Sequence, residues 1–361
     1  MGRTIAFVGA GNVARFHMDI VPQLPDADDL TVAAADPNPD ARDAFAEEFP
    51  DAELYDDMET MLATPAEPKD IVVVAVPPMI HREAAIAGLE SGRHVLCEKP
   101  LATSHEEAAA MYAAADDVDR LLGSCGCRFL GTPATERVKE VVASGDLGEI
   151  YHVTWTDRQQ RARPGIEYQP ESRWFLDSSK SGGGTLLDWG PYDFTTLNDV
   201  LAPEAIDVRD AWSANPHTEI DPADVVFDVD EHVGASLRYR LSDGATPTVS
   251  YERAVCTHGE ERSVAEIEGT EGAVRWTWKD YGEETTVTVA TDDAGEVTER
   301  TEQFTDDRGP KSTPLWQFDR AIRGESAHIA TNERALFNFA SLTAIGECAE
   351  TEEPRRVTRD G

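Results

Sequence analysis

Two groups of residues in this 361-residue chain have types and spacings that chemistry can use. The first is a small-residue turn. Gly9-Ala10-Gly11-Asn12-Val13-Ala14 follows the apolar run 4–8 and opens a helical pattern through Val13, Phe16, His17 and Ile20. In this G-x-G-x-x-A arrangement Gly9 permits a tight turn, Gly11 lets a pyrophosphate approach the backbone, and Ala14 lets helix and strand pack closely. Asp36 closes the next apolar run, near the spacing of a carboxylate that accepts from a ribose 2′-OH and repels a 2′-phosphate. Pro37, Asn38 and Pro39 follow it, and Arg42 is the nearest cation. NAD is therefore expected in preference to NADP, while Asp36 also reads as the N-cap of a helix over 37–49.

The second group is Lys99, Asp188 and Tyr192. Asp188 and Tyr192 are four apart on a helix predicted to begin near Gly184, a spacing that puts both on one face. Oxidising an alcohol by hydride transfer requires removing its hydroxyl proton. Free Tyr and Lys titrate near ~10 and ~10.4, too high for a base at neutral pH. A neighbouring ammonium lowers a Tyr, so a Lys–Tyr pair can share the proton while Asp188 orients substrate hydroxyls. Local packing offers other roles: Asp188 as a helix cap, Tyr192 as a core aromatic, Lys99 as the ion-pair partner of Glu98 or Asp188.

These residues need a frame. Runs over 30–35, 70–76 and 94–97 read as strands, and 81–91 reads as a helix capped by Gly92. Strand and helix alternate, which predicts an α/β fold with an N-terminal doubly wound Rossmann sheet. Gly9, Asp36, Pro77 and Lys99 all fall at carboxyl ends of its strands, where such sheets bind ligands. Beyond a helix over 133–144, strands are expected over 150–157, 225–240, 248–255, 263–268, 273–279 and 285–290. This predicts an α+β domain with a large open, mainly antiparallel sheet. The acid-rich tract 299–307 reads as a solvated loop, and 315–322 and 333–349 as closing helices. The expected domains are 1–124 for coenzyme and 125–361 for substrate and assembly, with the closing helices at about 313–350.

The turn at 7–14, the stretch 81–102 with Gly92-Arg93-His94-Val95-Leu96-Cys97-Glu98-Lys99-Pro100-Leu101-Ala102, the segment 181–192 and the turn Gly269-Thr270-Glu271-Gly272 resemble the Gfo/Idh/MocA family of oxidoreductases. The resemblance implies coenzyme contacts at Gly9, Gly11, Asn12, Val13, Asp36, Val76, Pro77, His81, Glu98 and Lys99, and catalysis by Lys99, Asp188 and Tyr192. It implies an NAD-dependent oxidation of a sugar, polyol or related hydroxyl compound, and a homodimer or homotetramer formed through the C-terminal sheet. Some members resembling this chain cleave glycosides by transient oxidation and elimination, and a non-catalytic NAD-binding regulator is a further alternative. Many members carry His where Tyr192 stands, and Thr-Pro-Asn where this chain has Val76-Pro77-Pro78-Met79. Substrate contacts are expected from Arg128, Arg173 and Trp174 besides Asp188 and Tyr192. Tyr168 and the cluster Arg158, Arg161 and Arg163 are further candidates, the cluster fitting ion pairs equally well.

Composition bounds the partners. Asp and Glu number 69 against 32 Lys and Arg, a formal net charge of −37, and only six of the basic residues are Lys. Acid spread along the whole chain argues against nucleic acid and anionic membranes. It resembles the composition of proteins from halophilic archaea and fits solubility at high salt. No apolar run reaches a membrane span, and the N-terminus lacks a signal-peptide pattern. Five scattered cysteines are not a disulfide framework, so a reducing cytoplasm is expected. No metal site is expected, since Cys125 and Cys127 lack zinc spacing and His81, His94 and His105 fall on separate elements.

Overall fold

An apolar run with no polar alternation has no solvent face, and β4 (Ile71–Val74) is buried at all four positions. The computed structural model, which describes residues 2–216, 225–293, 295–309 and 313–359, places it inside a seven-stranded sheet. The other strands are β1 (Thr4–Val8), β2 (Thr31–Ala35), β3 (Glu53–Tyr55), β5 (His94–Cys97), β6 (Leu122–Ser124) and β15 (Ala330–Thr331). Their order is β15-β6-β5-β4-β1-β2-β3, and every pair is parallel except β15 with β6. Helices α1 (Asn12–Met18), α2 (Pro39–Glu48), α3 (Met58–Leu62), α4 (His81–Glu90) and α5 (His105–Asp117) lie in the crossovers. The strand order reverses between β1 and β4, so the ligand crevice of this doubly wound sheet opens there. In α1 the buried side is Ala14, His17 and Met18, whereas Val13 and Phe16, expected in the apolar pattern, are exposed. Ala14 is the small residue that lets the helix press on the sheet, and its face decides which side is covered.

This first compact unit comprises 1–128 together with 308–336. The segment 308–336, assigned by the sequence to the second domain, therefore joins the first. Charge explains it. Buried Arg3 pairs with Asp319 of α10 (Pro314–Ile322) at 2.5 Å and with Asp26 at 2.9 Å, while Arg323 reaches Asp26 and Asp319 at 2.8 Å each. Asn332 accepts a hydrogen bond from the Leu122 amide at 2.8 Å.

The second unit, 129–307 with 337–361, is built on a nine-stranded sheet. Its strands are β7 (Ile150–Arg158), β8 (Ala205–Ala214), β9 (His232–Arg240), β10 (Thr248–Ala254), β11 (Arg262–Gly269), β12 (Gly272–Trp276), β13 (Glu284–Asp293), β14 (Glu296–Thr305) and β16 (Arg355–Thr358). The order is β14-β13-β12-β11-β7-β10-β9-β8-β16, antiparallel except for β7 with β10. Val153, Trp155, Leu237, Val249, Tyr251 and Ile267 bury one face, under α6 (Pro133–Ser144) and α9 (Gly190–Leu201) among others. Three expectations change. The tract 299–307, expected to be loop, supplies most of edge strand β14, whose exposed acids guard its free edge. The strand expected over 225–240 begins only at His232, leaving 225–231 as a connecting segment. Strands β8 and β16 lacked a recognisable alternation and were not foreseen. Among the described residues no helix is long and apolar enough to cross a membrane.

Candidate active site

In the first unit the predicted coenzyme residues gather at the carboxyl edge of the parallel sheet. Gly9 follows β1 with φ +98°, and a Cβ there would lie 2.5 Å from the Ala75 carbonyl oxygen beyond β4. Only glycine meets both demands. A Cβ on Gly11 would meet nothing within 4 Å, so the backbone is open to a ligand on that side. Asp36, beyond β2, accepts from the Ala10 amide through Oδ2 at 3.0 Å and from the Asn38 amide through Oδ1 at 2.9 Å. It thereby pins the glycine turn, and its carboxylate keeps lone pairs for further donors. The cap of α2 is Asn38, not Asp36, since Asn38 Oδ1 accepts from the Asp40 amide. Arg42 is held by the Asp36 carbonyl at 2.6 Å and by Asp56 at 2.8 Å.

Beyond β4 and β5 the loops are stapled by a buried histidine. His81 is fully buried, with Nδ1 2.8 Å from the Pro100 carbonyl and Nε2 2.8 Å from the Val76 carbonyl. Burial lowers its pKa against the opposing pull of those carbonyls. Val76 and Pro77 are half-buried in the loop it holds. Half-buried Glu98 accepts from His17 Nε2 at 2.9 Å and from the Lys99 amide at 3.1 Å. Burial would raise its pKa, but the His17 bond and the charge of Lys99 carry it down to about 2. The fold also brings Cys125 beside this pair, so His17, Glu98 and Cys125 have potential ligand atoms within 4.8 Å of one another. The sequence did not foresee this trio. His17 Nε2 is already bonded to Glu98, and burial holds the Cys125 thiol well above its ordinary range, which disfavours the thiolate a metal needs.

In the second unit the glycine-rich segment is fixed by one carboxylate. Asp230 accepts from the Gly184 and Leu186 amides at 2.9 Å each, and its own carbonyl accepts from the Thr185 amide at 2.9 Å. A Cβ on Gly184 would fall 1.7 Å from that carbonyl, so no larger residue fits. After the single turn α7 (Ser178–Ser181), this cradle starts α8 (Thr185–Asp188), which ends in Asp188. The single helix expected to carry Asp188 and Tyr192 is in fact two, α8 and α9, parted at Trp189. Pro191 has no N–H to continue the ladder, and so the break falls there. Asp193 then anchors α9: buried, it accepts from Trp155 Nε1 at 2.9 Å, Tyr251 Oη at 2.9 Å and Arg253 Nε at 3.0 Å. Arg253 also pairs with Asp157 at 2.6 Å, and Lys279 with Asp157 at 2.5 Å. Half-buried Tyr192, one residue before that anchor, packs edge-on against Phe129 and Trp189.

Two family models match the chain: an oxidoreductase family with an NAD-binding Rossmann fold over residues 3–124, and a GFO/IDH/MocA C-terminal domain over 135–275. The chain belongs to the Gfo/Idh/MocA family. It is 28% identical over 271 residues to levoglucosan dehydrogenase of Pseudarthrobacter phenanthrenivorans, covering 68% of this chain and 64% of that one. It is 33% identical over 211 residues to D-glucoside 3-dehydrogenase of Escherichia coli, covering 58% and 57%. In both cases the match spans less than two thirds of the relative. A solved levoglucosan dehydrogenase in complex with NADH and L-sorbose superposes with a TM-score of 0.79 over the whole of both chains at 22% identity, which shows the shared fold.

Within this Gfo/Idh/MocA member the predicted substrate residues have different surroundings. Arg161 and Arg163 both pair with Glu167, and Arg158 donates to Thr257 Oγ1 at 3.0 Å. Arg173 donates to the Gly165 carbonyl at 2.7 Å, and Trp174 stacks on Phe175 at 3.9 Å between ring centroids. Arg128 and Tyr168 are exposed, as are Asn12 and Val13 beside the glycine turn. A cavity of about 20 Å³ in the second unit is lined by Arg163, Thr185, Asp188, Asp230 and Glu231 among others. Thr185, Asp230 and Glu231 were missed from the sequence. The only signal was the acid spacing Asp228-x-Asp230-Glu231, hidden inside an expected strand.

Proposed function

We propose that this protein is an NAD-dependent oxidoreductase that transfers a hydride between the coenzyme and a carbon bearing a hydroxyl of a sugar-like compound. The observation carrying this reading is that Gly9, Asp36, Val76 and Glu98–Lys99 stand at successive strand ends of one parallel sheet, around its point of reversal. The residues there fit a dinucleotide. Gly11 leaves the backbone open, and Asp36 offers a carboxylate where a 2′-phosphate would be repelled. Arg42 is committed to Asp36 and Asp56, so NAD is preferred to NADP. The coenzyme, when bound, supplies hydride acceptance.

The chain supplies the proton chemistry and the orientation. Tyr192 takes the hydroxyl proton, and a positive charge that brings a phenol toward neutral pH is the part assigned to Lys99. Asp188, at the end of a helix fixed by Asp230, accepts from a substrate hydroxyl. The relatives named above act, by their names, on carbohydrate substrates, which supports a sugar here. The test is a panel of D-glucose, D-xylose, levoglucosan, methyl α-D-glucoside and myo-inositol, incubated with NAD or NADP in molar KCl and followed as reduced coenzyme. Net NADH formation with at least one compound is expected. A protein that binds NADH but reduces NAD with none of them, or that prefers NADP, contradicts the reading.

A further inference from the structure

Glu231 is a buried acid of the second unit that the proposed chemistry has not used. It is 2% exposed, yet neither carboxylate oxygen has a hydrogen-bond donor among the described residues. Its nearest cation, Arg163, stands 3.6 Å away at Nε, while Nε and Nη2 of that guanidinium both donate to Glu167. Thr185, also 2% exposed, has an unpartnered Oγ1. An unsatisfied buried acceptor is costly, and two beside one cavity call for a ligand group that supplies what the protein withholds. Both residues line the cavity that Asp188 also lines. At about 20 Å³ the space admits a water-sized group. A carboxylate or phosphate would be too large, and would meet the acids Asp188, Asp230 and Glu231 against the single cation Arg163. Burial, ahead of the opposing charge of Arg163, raises the Glu231 pKa to about 7, and in either protonation state the group can hydrogen-bond a hydroxyl.

We infer that Glu231 and Thr185 form a subsite that takes one hydroxyl of a neutral sugar next to Asp188 and excludes sugars bearing an anionic substituent at that position. The inference rests on the proposed sugar oxidoreductase activity and narrows its substrate class.

The test measures binding, which does not need turnover. D-Glucose, D-xylose, levoglucosan and D-glucuronate are titrated onto the NADH-loaded protein and followed by saturation-transfer NMR, for the parent, Glu231→Gln and Thr185→Ala. The parent should bind at least one neutral sugar and bind D-glucuronate at least about tenfold more weakly than D-glucose. Glu231→Gln should weaken the neutral sugar by about tenfold or more, as expected for losing a charged hydrogen-bond partner. Thr185→Ala should weaken it by less. NADH affinity should not change, and the melting temperature of Glu231→Gln should not fall, since Gln removes a buried charge. A structural role alone would lower stability and leave sugar affinity intact. Unchanged neutral-sugar affinity in Glu231→Gln overturns the subsite, and so does a parent that prefers D-glucuronate or binds no neutral sugar. A parent that oxidises sugars regardless of Glu231 overturns only the subsite. Glu231-dependent binding without any NADH formation overturns only the proposed activity.

Discussion

At the scale of single residues, the proton chemistry and the buried acids make separable predictions. Tyr192→Phe removes one hydroxyl and little volume. Turnover should fall about 10²–10⁴-fold with NADH affinity nearly unchanged, checked by steady-state kinetics and coenzyme fluorescence titration. The basic limb of the pH–rate profile should vanish or move in the same variant. Lys99→Ala should cost at least as much. Glu231 and Glu98 act on stability in opposite directions. Glu231 is raised from near 4.5 to about 7, so between those values the folded chain holds a proton that the unfolded chain has released. Stability therefore falls as pH rises from about 4.5 to 7, by at most about 3 kcal/mol. Chemical denaturation at pH 5 and pH 8 should show this fall in the parent and a smaller one in Glu231→Gln. Glu98 is lowered to about 2, so its contribution is present above about 4.5 and is lost as pH falls toward 2. The strand-end positions of Asp36 and of Glu98–Lys99 were legible because each follows an apolar run, a place with meaning in a parallel sheet. The burial of Glu231 was not, because nothing in a row of acids tells which one the fold will bury with only a distant ion pair and no hydrogen-bond donor.

At the scale of elements, the glycine-rich segment and the helix after it carry the argument. Asp230 holds the start of α8 through two backbone amides, and Gly184 is forced by the closeness of the Asp230 carbonyl. Asp230→Ala should cost about 0.5–2 kcal/mol, the range of a lost cap, and lower turnover by displacing Asp188. Gly184→Ala should be worse, because the contact is with backbone that has no rotamer to yield. Differential denaturation of both variants beside the parent checks the order. Asp193 is a harder case. It balances Arg253 in a fully buried cluster, so Asp193→Ala leaves a buried charge uncompensated and should cost about 3–5 kcal/mol. The parallel sheet was legible because its strands alternate with helices at regular intervals. The break between α8 and α9 was also encoded, in Pro191, but the four-residue spacing of Asp188 and Tyr192 was read across it. Edge strand β14 was missed because a strand exposed at all but two positions, Glu302 and Phe304, has no apolar face to show.

At the scale of the whole molecule, a formal charge of −37 dominates. Self-repulsion of that size is suppressed when salt shortens the Debye length to roughly 3 Å at 1 M, against about 30 Å at 0.01 M. Dialysis from molar to millimolar KCl should therefore unfold the protein, seen as loss of far-ultraviolet circular dichroism, and an unchanged spectrum would show that packing alone suffices. Division into two units was legible from the change of pattern after residue 124. The return of 308–336 to the first unit was not, because the ion pairs that fix it join Arg3 to Asp319 and Asp26 to Arg323, residues at opposite ends of the sequence. The central claim, hydride transfer between a sugar and NAD, has a direct measurement. D-Glucose, D-xylose and levoglucosan, each deuterated at every carbon, are incubated with NAD and the parent protein in molar KCl, and the coenzyme is analysed by mass spectrometry. NADH carrying one deuterium is expected from at least one of these sugars, and none above background from Tyr192→Phe in the same interval. Coenzyme that stays oxidised with all three sugars, or reduced coenzyme without deuterium, would contradict it.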